Sequence, residues 1–404
     1  MAALSRRRPE PIRIAGPTQN VATVKKYLFT PGPAPVPPEV LLEMAQPIIH
    51  HRTPQFSAVL DAAREKLKPL FGTKQEVILL ASSGTGAMEA SVTNLLQPGD
   101  EAIFVNGGKF GERWGKLIQA FGATAREVKV EWGQAVRPEQ IEEALRAHPT
   151  ARAVFVQASE TSTCTVHPVA EIASITRKRE TMLVVDGITS VGVFEQKMDE
   201  WGIDALVTGS QKALMLPPGL GVIALSERAL ERTKTNKTPR YYFDLNRELK
   251  AQRDEHTTAY TPAVSLIFGL NKALDIIHGE TLPKVFARHD LMARATRAAG
   301  AAIGLAPIAP DAPAPSVTGL LTPSGLDGGK LVKMMRDDCG VSIQGGQDHM
   351  KGKLVRIGHM GHLGVFDTLV VISALELGLE RLGYKLTRGA GVAAVQNQIA
   401  QADA

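Results

Sequence analysis

The chain has only two cysteines in 404 residues, Cys164 and Cys339. Two thiols make no disulfide framework, and they suit a reducing cytoplasm, the expected location. Aromatic residues are sparse at 5%, which leaves little to stack on nucleic-acid bases. No apolar run approaches the roughly twenty residues of a membrane span. The opening Met1-Ala-Ala-Leu-Ser-Arg-Arg-Arg-Pro lacks the apolar centre of a secretory signal. Neither charge sign dominates, because 46 basic against 41 acidic residues leave a net +5. Apart from Arg6-Arg7-Arg8 and Lys25-Lys26 the basic residues are interleaved with acids, a balance suited to anionic small molecules rather than nucleic acid. Membrane and nucleic-acid partners are therefore not expected.

Alternation is what the chain does have. Val77-Ile-Leu-Leu-Ala, Ala102-Ile-Phe-Val, Ala153-Val-Phe-Val, Met182-Leu-Val-Val, the run at Leu206 and Gly221-Val-Ile-Ala-Leu read as strands. Helical spacing predicts helices over Ala87–Leu96, Gly111–Phe121 and Val169–Arg177. Repeated βα units imply an α/β fold with a mostly parallel sheet covered by helices, and active residues at the C-terminal ends of its strands. The length allows one large core and a smaller satellite. The expected organisation is a flexible leader over 1–26, a large domain over 27–275, a small C-terminal domain over 276–385 and a flexible tail or frayed helix over 386–404. Segment 27–45 is expected to touch the small domain, and the proline-rich stretch Leu305–Pro315 is its main irregular segment.

Two of the predicted strands end in chemistry. Met182-Leu-Val-Val leads to Asp186, and Asp204-Ala-Leu-Val-Thr-Gly leads to Ser210-Gln211-Lys212. Alone, the aspartate reads as a turn former and the lysine as a solvated loop charge. Together they are what a pyridoxal phosphate enzyme needs: an amine to form a Schiff base and a carboxylate to keep the pyridine nitrogen protonated. A third element joins them. Ser82-Ser-Gly-Thr-Gly reads as a tight loop feeding a helix, whose free N–H groups and positive dipole end suit a phosphate. A nucleoside-triphosphate loop would need a Gly-Lys-Ser/Thr ending that Gly84-Thr-Gly-Ala-Met-Glu lacks. A dinucleotide loop would need a third, correctly spaced glycine and a later acidic residue.

With these pieces the chain resembles the class V pyridoxal phosphate aminotransferases, most closely the alanine–glyoxylate and serine–glyoxylate group. The resemblance runs from Tyr27 to Leu382. It is carried by Phe29-Thr-Pro-Gly-Pro, His51-Arg-Thr-Pro-Gln-Phe, Ser83-Gly-Thr-Gly-Ala-Met-Glu-Ala, Leu96-Gln-Pro-Gly-Asp, Val185-Asp-Gly, Gly209-Ser-Gln-Lys-Ala-Leu, Tyr260-Thr-Pro-Ala-Val-Ser-Leu and Leu354-Val-Arg-Ile-Gly, in that order. It implies an aspartate-aminotransferase-like fold of type I, with a mostly parallel seven-stranded sheet and a smaller α+β domain. It implies Lys212 and Asp186 as catalytic residues, with Ser83, Gly84 and Thr85 as the phosphate cup. Gln211 matches a polar neighbour of the cofactor, Thr161 the hydroxyl on the ring oxygen, and Phe110 the aromatic that stacks on the ring. Arg356 matches the anchor of the substrate carboxylate, a task suited to its planar fork, and Gly32 falls at the substrate site. Tyr260 and Thr261 belong to a loop that reaches the neighbouring subunit's phosphate, which implies a homodimer with composite sites. Which residue of 257–261 makes that contact stays open.

The resemblance implies transamination between a small L-amino acid, alanine or serine, and glyoxylate or a similar 2-oxo acid. No second cationic anchor for a dicarboxylate is evident. Aspartate, phosphonate or ureido donors remain alternatives. A cysteine desulfurase or lyase would need a cysteine on the loop before Arg356, and Ile343-Gln-Gly-Gly-Gln-Asp-His has none. A non-catalytic subunit would not need the lysine, aspartate and arginine that are all retained. No metal site is expected, and His359-Met-Gly-His362 reads as loop and packing histidines.

Overall fold

The computed structural model describes residues 25–402, so all of the expected leader except Lys25 and Lys26 lies outside the described residues. Seven strands form the main sheet: β1 (Val77–Ala81), β2 (Glu101–Asn106), β3 (Thr124–Lys129), β4 (Ala153–Gln157), β5 (Met182–Asp186), β6 (Ala205–Gly209) and β7 (Leu220–Leu225). Their order across the sheet is β1-β7-β6-β5-β4-β2-β3. Neighbours are parallel except around β7, which runs antiparallel to β1 and β6. The exception follows from chain length, since residues 210–219 return directly from β6 to β7 as a hairpin while parallel neighbours need a crossover.

Branched apolar residues fill the strands because both faces are covered. Val77, Leu79, Ile103 and Val105 enter one core, and Ile78, Leu80, Ala102 and Phe104 the other, the period-2 alternation of a pleated strand. Helix α1 (Pro54–Phe71), capped by the Thr53 hydroxyl, covers the first face. Helices α2 (Gly84–Leu95) and α3 (Lys109–Ala120) cover the second through Met88, Val92, Trp114 and Ile118. The α2 helix starts at Gly84 rather than at the expected Ala87, because the Ser83 hydroxyl caps it by accepting the Gly86 N–H at 3.4 Å. The loop expected over 82–86 is thus mostly a first helical turn.

A long pair of helices, α4 (Val264–Glu280) and α5 (Leu282–Ala302), leads to a three-stranded antiparallel sheet of order β8-β10-β9: β8 (Val317–Leu321), β9 (Gln344–Gly345) and β10 (Leu354–Gly358). Helix α6 (Asp367–Arg381) packs here around Leu320, Val355, Ile357 and Leu375. Tyr27–Leu28 pairs in parallel with Val341–Ser342, tying the start of the described chain to this region. The proline-rich stretch runs between the two sheets: Ile308 donates to Gly319 at 3.0 Å, and Ala314 to Cys164 at 2.9 Å.

Of the flexible tail or frayed helix expected over 386–404, the structure forms a helix, α7 (Ala390–Ala402), and corrects its flexibility, because the helix is packed. Its alanines favour helix, Val395 is fully buried in the small-sheet core, and the Glu376 carboxylate accepts the N–H groups of Gly389 and Gly391 at 2.7 Å each. Among the described residues no helix is long and apolar enough to cross a membrane.

Candidate active site

At the C-terminal edge of the large sheet lies a cleft of about 430 Å³. It gathers Ser83 and Gly84 from beyond β1, Phe110 from beyond β2, Thr161 from beyond β4, Asp186 at the end of β5, and Gln211 and Lys212 from beyond β6. Thr85 also lines it. Ser83 and Gly84 can sit against the sheet because Gly209 has no side chain: a Cβ there would lie 3.1 Å from the Gly84 nitrogen.

Lys212 is almost entirely buried, and its Nζ donates to the Pro31 carbonyl. Burial pushes its pKa down to about 8, a shift opposed by Asp186 and reinforced by the charges of Arg356 and Arg113. Asp186 is buried as well, and burial pushes its carboxyl up to about 7, against the Ile188 N–H that it accepts at 2.8 Å. Its second oxygen, Oδ2, has no hydrogen-bond partner among the described residues. Gly32 lies directly over the lysine: its φ of +115° suits glycine, and a Cβ there would collide with Nζ.

Arg356 sits mid-strand in β10 and is buried, with Nε on the Gly345 carbonyl at 3.0 Å and Nη1 on the Thr161 carbonyl at 2.9 Å. It thereby joins the small sheet to the segment that lines the cleft. The Thr161 hydroxyl is paired with that of Thr189 at 3.0 Å. A second link between the sheets lies beside it: Asp348 meets Lys109 at 2.9 Å, and His349 packs on Trp132 with ring centroids 4.4 Å apart.

Tyr260 and Thr261 do not join the cleft. They line a separate hollow with Tyr242 and Thr258. His359 is buried with Nε2 bonded to the Thr318 hydroxyl at 2.9 Å, and burial drives its pKa down to about 3. Among the described residues no group of three or more metal-binding side chains is present.

Ser159, Ile188, Thr189 and Arg113 line the cleft although the sequence reading did not single them out. Arg113 lies 4.9 Å over the Phe110 ring and donates to the Thr85 hydroxyl at 2.9 Å. Its signal was present in the sequence, since residues three apart on a predicted helix share a face.

The donor set suits a planar, ring-nitrogen-bearing phosphate ester. Asp186 lines the cleft and its Oδ2 has no hydrogen-bond partner among the described residues, the Gln211 amide oxygen is buried without a partner, and the start of α2 with its free N–H groups lines the same cleft. The sequence profile described as aminotransferase class-V matches residues 26–359. The chain belongs to this family. A relative from Paracoccus denitrificans, named an L-aspartate–glyoxylate aminotransferase, is 36% identical over 95% of this chain and 98% of its own length. A Synechococcus protein named as the small subunit of a soluble hydrogenase is 39% identical over 94% of this chain and 99% of its own length. The crystal structure of an alanine–glyoxylate aminotransferase from Nostoc sp. superposes with a TM-score of 0.85 at 28% identity, covering 90% of this chain and 97% of that one. The class V scaffold therefore accounts for the large, mostly parallel sheet, and the chain is an aminotransferase by family.

Proposed function

We propose that the protein catalyses pyridoxal 5′-phosphate-dependent transamination between a small L-amino acid, alanine or serine, and glyoxylate. The observation that carries this reading is the meeting of Lys212, Asp186 and the Ser83–Thr85 turn in one cleft, with the Arg356 charge close enough to act on Lys212. When bound, the cofactor supplies an electron-accepting ring that eases removal of the donor Cα proton. Lys212 takes and returns that proton, and its lowered pKa provides the neutral amine the task requires. Asp186 holds the ring nitrogen in its protonated form through a buried charge-assisted hydrogen bond. Ser83, Gly84, Thr85 and Gln211 hold the phosphate at the start of α2, Phe110 covers the ring, and Thr161 contacts the ring oxygen. Arg356 orients the donor carboxylate, and Gly32, whose missing side chain lets the backbone pass against Lys212, borders the donor site.

In this reading the enzyme is a homodimer. Tyr260 and Thr261, outside the cleft, complete the partner's phosphate site. Exposed Leu42 (69%) and Ile48 (74%) support a covered apolar face. Cys164 and Cys339 are both free, which suits the reducing cytoplasm.

One observation favours a second reading, a dicarboxylic donor such as aspartate: Arg113 brings into the cleft a guanidinium that the sequence analysis did not anticipate. Hydrogenase chemistry receives no such support, because two cysteines cannot supply the four thiolates of an iron–sulfur cluster.

The test is the near-visible absorption of the purified protein with pyridoxal phosphate, titrated with L-alanine, L-serine and L-aspartate and then with glyoxylate. A band bleached by alanine or serine and restored by glyoxylate supports the proposal. Bleaching by aspartate alone selects the second reading, and a protein that takes up no cofactor ends both.

A further inference from the structure

Glu160 is a fully buried carboxylate to which the proposed reaction gives no part. A buried charge of this kind persists only where it is well hydrogen-bonded. Its Oε2 accepts the N–H of Phe110 at 3.1 Å and of Gly111 at 2.9 Å. Its Oε1 accepts the N–H of Ser162 at 3.1 Å and the Ser162 hydroxyl. Ser162 Oγ in turn accepts the Lys109 N–H at 3.0 Å. Three successive amides at the start of α3 are thus held by residues 160 and 162, whereas Gly108, the helix's own capping position, provides no side chain for the task.

This grip falls on the turn that presents Phe110 and Arg113 to the cleft. Thr161, between the two gripping residues, lines the cleft with its side chain and receives Arg356 on its carbonyl. One tripeptide therefore sets the aromatic cover and meets the arginine of the small sheet. Gly108 makes room for the carboxylate: a Cβ there would lie 2.6 Å from Glu160 Cδ.

Building on the transaminase reading, we infer that Glu160 is a positioning residue that fixes the first turn of α3, and through it Phe110 and Arg113, at the wall of the cofactor cleft. A neutral acceptor should suffice for this. In Glu160→Gln the amide oxygen can still accept from Phe110 and Gly111 while its NH₂ donates to the Ser162 hydroxyl, and only the Ser162 N–H loses its acceptor. In Glu160→Ala no acceptor remains, and Gly108→Ala should push the intact carboxylate off the helix.

The experiment compares E160A, E160Q and G108A with the parent in three ways: hydrogen exchange at 109–111 in cofactor-free protein, near-visible circular dichroism after pyridoxal phosphate is added, and kcat and KM for the donor. E160A and G108A should exchange faster at Phe110 and Gly111 and change the dichroism of the bound cofactor. They should lose about 10- to 100-fold in kcat, as displaced reacting groups do, with donor KM within about threefold. E160Q, which keeps the acceptor for Phe110 and Gly111, should stay much closer to the parent than E160A in all three. Parental exchange and dichroism in E160A would overturn the inference, as would a raised KM with unchanged kcat, or damage in E160Q equal to that in E160A. Should E160A not fold, the same comparison rests on G108A and E160Q. A parent that binds no pyridoxal phosphate would end the transaminase reading, while the exchange data would still decide whether Glu160 holds the turn.

Discussion

Asp186 closes a strand of the large sheet and Lys212 follows another, whereas Arg356 stands in the middle of a strand of the small one. Residues of the first kind are placed by the backbone: once the strands pair, their exits converge and the side chains need little further guidance. Arg356 must reach across, and its place depends on its bonds to Gly345 and Thr161, hence on how the two sheets meet. In the proposed reaction the large sheet supplies the chemistry and the small one supplies the grip on substrate. The division can be tested by asking whether damage on each side is felt in kcat or in KM.

The largest effect should come from Lys212→Ala, which removes the proton carrier and should lower turnover by roughly a thousandfold or more, together with loss of the near-visible band. Next is Arg356→Lys. A lysine keeps the charge but not the planar fork, and donor KM should rise about a hundredfold while kcat changes much less, as read by steady-state kinetics over a range of donor concentrations. An equal fall in kcat would break the division between the sheets.

A third prediction concerns the cofactor-free protein. Asp186 is raised to about 7 in the fold from an ordinary value of 3.8, so the folded state binds more protons than the unfolded one between those values, and stability falls as pH rises through that window. Lys212 is lowered from 10.5 to about 8, so the unfolded state binds more protons between 8 and 10.5, and stability recovers as pH rises there. Asp186→Asn should flatten the first limb and, by removing the carboxylate that opposes the Lys212 shift, extend the second toward lower pH, measured by denaturant melts from pH 4 to 10. The smallest effect belongs to Asp348→Ala. Its ion pair with Lys109 is half exposed, so donor KM should shift by about two- to threefold and less at high salt. A larger change would give the small sheet more weight than its one buried arginine.

The same contrast governs what was legible in the sequence. Strand exits are local events, marked by an apolar run that stops at a polar residue, and Asp186, Lys212 and the Ser83 turn could be read from them directly. Arg356 and Gly32 could be reached only through the family resemblance, since no local pattern tells a buried strand arginine from one that faces water. Arg113 was missed although its spacing from Phe110 was visible, because helix facing was read for apolar residues alone. The packing of helix α7 was missed because its alanine-rich segment has few large apolar residues to mark a buried face, and its start is secured by Glu376, a residue outside it. Glu160 was passed over as a neighbour of Thr161, since the Phe110 and Gly111 amides that it holds come from another segment and leave no trace in its own surroundings.

The hairpin that returns from β6 to β7 carries a consequence of a different sort. Gly209 faces Gly221, and the pairing continues to Ala205 opposite Leu225. The turn is closed by Ser210, whose N–H donates to the Leu220 carbonyl and whose hydroxyl donates to Pro217. Strand pairing has a side-chain period of two, so a slip of one residue would turn every side chain of β7 to the opposite face. Lys212 is thus placed by a choice between discrete registers rather than along a continuum. Faults in this hairpin should divide the molecules into competent and dead populations, lowering the fraction that titrates as active while the survivors keep ordinary rate constants.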